Sequence, residues 1–148
     1  MLALIQRVTS SKVVIEGEVF GEISQGILAL IAVEKGDSKA DARRLCERLL
    51  GYRIFSDEQD KMNLSISAIK GGLLLVPQFT LAADTQKGTR PSFSSAEDPR
   101  ISKALFEYFC SYTAEQYEIV ETGRFGADMK VSLCNDGPVT FMLQVKGQ

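Results

Sequence analysis

Apolar and polar residues alternate along Leu2 to Val8 and again along Lys12 to Ile23, the period of strands with one buried face. Glu16, Gly17 and Glu18 offer a tight turn, so the opening of the chain predicts a β-meander. Gly26 to Val33 (GILALIAV) has no polar position and predicts a strand covered on both faces. The period then changes to that of a helix. Ala42, Leu45, Cys46, Leu49 and Leu50 form its stripe, Asp37 or Ser38 can cap it, and Gly51 stands as its stop. Tyr52 to Phe55 returns to a strand and Ser56 to Lys61 is a charged turn. Gly71 and Gly72 open a second apolar strand, Leu73 to Leu81.

A polar loop from Ala83 to about Asp98 follows, longer than most connections and of a length that often carries function. Asp98 and Pro99 are the cap and first residue of a second helix, with Ile101, Ala104, Leu105, Tyr108, Phe109 and Tyr112 as its stripe. The remaining pattern predicts a strand at Tyr117 to Glu121, a loop at Thr122 to Asp128, and a hairpin. The hairpin's arms are Met129 to Cys134 and Val139 to Val145, joined by Asn135-Asp136-Gly137-Pro138. Many strands and two helices predict one α+β domain over residues 1–148, a small β-barrel-like curled sheet with two packed helices.

Composition narrows what such a domain can do. The chain has no histidine, which excludes Ser-His-Asp and Cys-His catalysis and every histidine-containing zinc site. Chemistry must come from carboxylates, lysine, hydroxyls or the backbone, and no metal or cofactor is expected. Cys46, Cys110 and Cys134 are odd in number, lack CxxC spacing and sit in apolar patterns, so each reads as a reduced core cysteine. Met1 to Val8 reads as a strand rather than a secretory leader, and no apolar run is long enough to span a membrane. A soluble, cytoplasmic protein is expected. A net charge of −2 argues against indiscriminate nucleic-acid binding, so any RNA would have to meet a local basic patch.

Three segments could carry chemistry. Pro77-Gln78-Phe79-Thr80-Leu81 ends an apolar strand with a proline and two polar residues. Its plain alternative is an edge strand whose Gln78 and Thr80 face water. In Asn135 to Thr140, the proline after Gly137 removes a donor where a returning strand would begin and permits a cis peptide. Lys87 and Arg90, beside Pro91-Ser92-Phe93, combine cations, hydroxyls and an aromatic suited to phosphate and base contacts; a solvated loop is the plain alternative.

These segments bring a family into view. LALIQRV, LGYRIFSDEQDKMNL, QFTLAADTQKGTRPSF, GRFGADMKVSL and NDGPVTF resemble, in order and over nearly the whole chain, the blocks of the bacterial D-aminoacyl-tRNA deacylases. The resemblance implies a homodimer that hydrolyses the ester between a D-amino acid and tRNA, with Gln78, Phe79 and Thr80 at the catalytic pocket. It implies that Phe125 and Met129 contribute to the pocket's apolar wall. Gly137-Pro138 would be a Gly-cisPro dipeptide inserted into the partner's site to reject L-amino acids, a filter that would let glycyl-tRNA through. Lys87 and Arg90 are the expected phosphate contacts. A catalytically inactive tRNA-binding dimer of the same fold is the alternative. Two departures are visible: Pro77 stands where the family normally has serine, and Ser94 to Pro99 lacks the family's lysine and glycine. The proline removes a hydroxyl and an N–H, leaving the donors of Gln78, Phe79 and Thr80.

Overall fold

A computed structural model describes residues 1–148, with eight strands, three α-helices and one 3-10 turn. The long first strand β1 (Leu2–Ile15) turns at Glu16 and Gly17, both at positive φ, into β2 (Glu18–Ile23). β3 (Gly26–Ala32) pairs antiparallel with the first half of β1 and parallel with β6 (Gly72–Pro77). β7 (Val120–Thr122) lies parallel on the far side of β6. β8 (Lys130–Gln144) runs antiparallel along nearly all of β1. The sheet curls until β2 packs against β6 and β7, and a methyl added at Gly21 would sit 3.0 Å from the Thr122 carbonyl oxygen. The predicted curled, barrel-like α+β sheet is present.

Alternation along the strands builds two cores. One face buries Ile5, Ile27, Ile31, Leu73 and Leu75 against α1 (Lys39–Gly51) and α3 (Pro99–Gln116). The other face, inside the curl, gathers Val8, Val13, Ile23, Leu28, Leu74 and Val76. Ser38 caps α1 in a reciprocal box with Asp41, and Asp98 caps α3 ahead of Pro99, as the pattern predicts. The Met1 ammonium, fully buried, donates to the Val145 carbonyl at 2.6 Å and meets the Asp37 carboxylate at 2.8 Å, tying β1 to the residues around α1.

Several expectations need correction. The C-terminal hairpin is one continuous strand, because Asn135 to Pro138 is a bulge and not a turn. Gln6 pairs with Thr140 and Val8 with Asn135, so β8 carries three extra residues opposite Arg7. The strand predicted to reach Leu81 stops at Pro77, and Phe79–Ala82 forms the 3-10 turn. β6 is interior, not an edge. A short helix, α2 (Ile66–Ile69), was too brief to leave a period, and β4 (Phe55–Ser56) pairs with β5 (Met62–Leu64) around the charged turn. On α3, Ile101 and Ala104 face outward while Ser102, Phe106 and Thr113 are buried. Cys134 lies exposed on β8 and is not a core cysteine. No helix is long and apolar enough to cross a membrane.

Two glycines separate close packing from local preference. A methyl at Gly26 would fall 1.8 Å from the Gly72 carbonyl oxygen, so β3 and β6 approach only because that position is bare. Gly51 is the last helical residue with open space around it and no left-handed φ, so it is no left-handed stop. Gly26→Ala should cost at least about 3 kcal/mol by overpacking, whereas Gly51→Ala should gain up to about 1 kcal/mol in a helix. Urea unfolding of both variants beside the parent checks the pair; a benign Gly26→Ala would contradict the packing.

Candidate active site

The C-terminal end of β6 opens into a cavity of about 470 Å³. Val76, Pro77, Gln78 and Phe79 form one wall, Phe125, Ala127, Met129 and Val131 the opposite one, and Ala96, Glu97, Pro99 and Ser102 the rim at the start of α3. Gln78, Phe79, Phe125 and Met129, expected together, do meet here. Phe125 is anchored by its ring against Phe106, centroids 6.4 Å apart, which joins the pocket wall to the main core. Phe79 is more than half exposed and packs on Phe93 at 5.3 Å, placing two aromatic rings at the mouth. No set of three or more acidic or cysteine side chains converges to hold a metal.

The backbone at the mouth has spare donors. The Gln78 N–H is spent on the Ile31 carbonyl at 2.7 Å, so the expectation that it remained available is corrected. The chain then enters the 3-10 turn, whose first N–H groups have no partner within the turn. Those of Phe79 and Thr80 donate to nothing in the chain. The Thr80 hydroxyl accepts from Gln78 Nε2 at 2.5 Å, and Thr80 itself stands just outside the pocket lining. Pro77 closes the β7 side of β6, where the Gly123 N–H makes the last bond, to the Leu75 carbonyl at 2.8 Å. Alternate N–H groups of β6 point to β3 and to β7, and the position of Pro77 is one that would point toward β7, beside Gly123.

The two carboxylates on the pocket wall are already engaged. Glu97 accepts from the Asp98 N–H at 2.8 Å and the Gly36 N–H at 3.2 Å, pinning the loop before α3 to the loop before α1. Asp128 pairs with Lys130 in open solvent at 3.0 Å. Neither is within a hydrogen bond of Thr80. The neighbouring Asp98 carboxyl is held below its usual range by the Arg100 N–H it caps.

The Asn135 to Thr140 bulge lies elsewhere on the chain, and Gly137 and Pro138 do not line this cavity. Their peptide is cis and both residues are exposed. The bulge is clamped from two sides. Arg7 donates through Nε to the Asp136 carbonyl at 2.9 Å and through Nη1 to the Ile54 carbonyl at 2.8 Å. The Asn135 side chain accepts from the Val139 N–H and donates to the Thr140 hydroxyl, each at 2.9 Å. Gly137 has φ +139, and an added methyl would meet Val139 at 2.7 Å.

A family model described as D-Tyr-tRNA(Tyr) deacylase matches residues 4–144. The chain belongs to that family. Membership makes it an enzyme, a hydrolase. Among its relatives, a D-aminoacyl-tRNA deacylase of Photorhabdus laumondii is 61% identical over 98% of this chain and all of the relative. One of Yersinia pestis is 59% identical with the same coverage. A solved c-Myc DNA unwinding element binding protein superposes with a TM-score of 0.94 at 31% identity, over 99% of this chain and all of that one. A probable eukaryotic D-amino acid tRNA deacylase shares the fold, with a TM-score of 0.83 at 16% identity over 96% of this chain and 97% of its own.

Against that family's blocks, Lys87 and Arg90 are exposed on the loop held across its base by Asp84 and Ser92, outside the cavity. Arg7 and Asn135 were not singled out by the sequence reading. The available signal for Arg7 was its place beside Gln6, two polar residues in succession that break the alternation, which a strand pattern alone assigns to solvent. Arg7→Ala should lower stability by about 1–3 kcal/mol, since the partly buried Asp136 and Ile54 carbonyls lose a charged donor. Amide exchange at Asp136, Gly137 and Val139 should accelerate while that of β3 stays slow. Unchanged exchange in the bulge would show that Asn135 holds it alone.

Proposed function

We propose that the chain hydrolyses the ester joining a D-amino acid to the terminal ribose of tRNA, and the glycyl ester as well, while sparing L-aminoacyl esters. The observation that carries this reading is the pair of unpartnered N–H groups, Phe79 and Thr80, at the mouth of an apolar pocket in a chain without histidine. An ester carbonyl seated there accepts from both. As water adds to the carbonyl carbon, charge grows on the oxygen, and fixed donors in a partly dehydrated pocket stabilise it more than the ground state. The ribose 2′-hydroxyl beside the ester orients and activates the water. Collapse breaks the bond to the 3′ oxygen, which takes the proton, and releases amino acid and tRNA.

Thr80 serves as a positioning group in this scheme. A threonine nucleophile needs a base beside it, and its hydroxyl contacts only the Gln78 amide. The weak demand on ionisable groups suits an activated ester.

Chirality is read by a wall supplied from a second subunit. The Gly137-Pro138 bulge is exposed, braced by Arg7 and Asn135, and away from its own chain's cavity, the arrangement expected of a group that works in a partner's site. Leu133, Phe141 and Met142 on the same strand leave apolar surface for a two-fold, isologous contact. Backbone carbonyls facing the α-carbon collide with an L side chain and leave a D side chain free. Glycine, with only hydrogen there, passes.

A deacylation assay at equal enzyme concentration should find D-Ala-tRNA and Gly-tRNA cleaved and L-Ala-tRNA intact. Resistance of Gly-tRNA would mean that the site recognises a D side chain positively. Binding without cleavage of any ester would favour an inactive tRNA-binding dimer of the same fold. Light scattering at micromolar concentration should give twice the chain mass, and a fully active monomer would remove the cross-subunit filter.

A further inference from the structure

The chain is acidic, but its exposed charge is not evenly spread. α1 presents Lys39, Arg43 and Arg44 outright and Arg48 in part. The helix has two acids: Asp41 is buried and occupied by Ser38 and the Gln148 N–H, and Glu47 is paired with Arg44 at 3.1 Å. Arg100 and Lys103 of α3 are exposed as well; Arg100 lines a cleft with Ser38 and Lys39 at the start of α1 and lies 3.4 Å from Asp98. The exposed acids Glu107 and Glu115 come one turn and more beyond Lys103.

We propose that this face, α1 together with the start of α3, holds the phosphate backbone of the tRNA acceptor end while the terminal ester occupies the pocket. The proposal rests on the deacylase reading of that pocket. Continuity supports it. The first turn of α3 is a shared wall: Pro99 and Ser102 face the cavity, while Arg100, Ile101, Ala104 and Leu105 line a cleft of about 520 Å³ completed by Asp37, Ser38 and Lys39, the Asp37 carboxylate being taken up by the Met1 ammonium at 2.8 Å. The loops entering the two helices are fastened together by Glu97 on the Gly36 N–H and by the Lys35 N–H on the Ser95 carbonyl at 3.3 Å. Cations on this face therefore keep a fixed position beside the pocket mouth.

The cations are also oriented in advance. Lys39 Nζ lies 5.0 Å from the centre of the Tyr108 ring, and Arg43 Nη1 donates to the Tyr108 hydroxyl at 3.0 Å. Tyr108 in turn stacks on Tyr112 at 6.0 Å. Side chains already held in place lose less freedom when they meet a phosphate. Lys39 and Arg43 are spaced about 6 Å apart along the helix axis, giving successive charges along one direction. Lys87 and Arg90, by contrast, project from a loop with no aromatic or ion-pair contact to hold them.

The test uses the double variant Lys39→Gln/Arg43→Gln in the full chain, beside Lys87→Gln/Arg90→Gln. Binding of uncharged tRNA is followed over a salt series, and hydrolysis is compared for D-aminoacyl-tRNA and for the phosphate-free 3′-O-D-aminoacyl-adenosine. The α1 variant should flatten the log-affinity against log-salt slope by roughly two units. The ratio of kcat/KM for the tRNA ester to that for the adenosine ester should fall on the order of tenfold. Arg43→Lys, which keeps the charge, should keep most of the slope. An unchanged slope in the α1 variant, a larger loss in the loop variant, or equal loss with both esters would overturn the proposal. If the parent cleaves neither ester, the deacylase reading fails, while the uncharged-tRNA slopes still decide where RNA binds.

Discussion

The pairing of β8 along β1 is the constraint on which the rest of the molecule depends. β1 is bordered by β3 and then β2 on one side and by β8 on the other, so it belongs to both halves of the curled sheet. The apolar alternation of β1 holds β8 in register at each end, with Leu143 buried in the main core and Val131 packed against the inner one. Three residues too many lie between those two fixed registers. They have nowhere to go but outward, and the outward excursion is Asp136-Gly137-Pro138. Its place is set by pairing on both sides, and its shape by the Arg7 and Asn135 clamps.

The pocket follows from a second consequence of the same sheet. Parallel pairing brings the end of β6 beside the end of β3, and the last ladder bond, from Gln78 to Ile31, stops the strand. A 3-10 turn starting there leaves its leading N–H groups without partners at the place where the two sheet ends diverge to form a cavity. The site's polarity is thus backbone polarity, held by secondary structure. The nearby carboxylates are used for fastening: Glu97 ties two loops and Asp98 caps a helix.

Much of this was legible along the chain. Both long helices declare themselves through apolar period and caps, and the two apolar strands β3 and β6 through runs with no charged or polar side chain. Gln78, Phe79, Phe125 and Met129 were brought together by family resemblance, since nothing local links residue 78 to residue 129. What stayed hidden is non-local. Asn-Asp-Gly has the same turn chemistry in a hairpin and in a bulge, and only the partner strand, more than a hundred residues away, decides between them. Whether the Gln78 N–H is free depends on where β3 ends. Arg7 looks like one more solvated strand position until the Asp136 and Ile54 carbonyls arrive around it. Cys134 fits the alternating pattern of its strand, but its own position falls on an exposed part of β8.

The span between β1 and β8 also has a temporal side. Their pairing joins the first strand of the chain to the last, and loops of that size close slowly compared with helices and tight turns. During synthesis β1 leaves the ribosome early and must wait, its apolar face uncovered on one side, until β8 is made. β3, with seven consecutive pairs, reaches it sooner and can shield one flank. The bulge therefore takes shape only at the final docking step. A nascent chain would hold most of its core before Gly137 and Pro138 take their places.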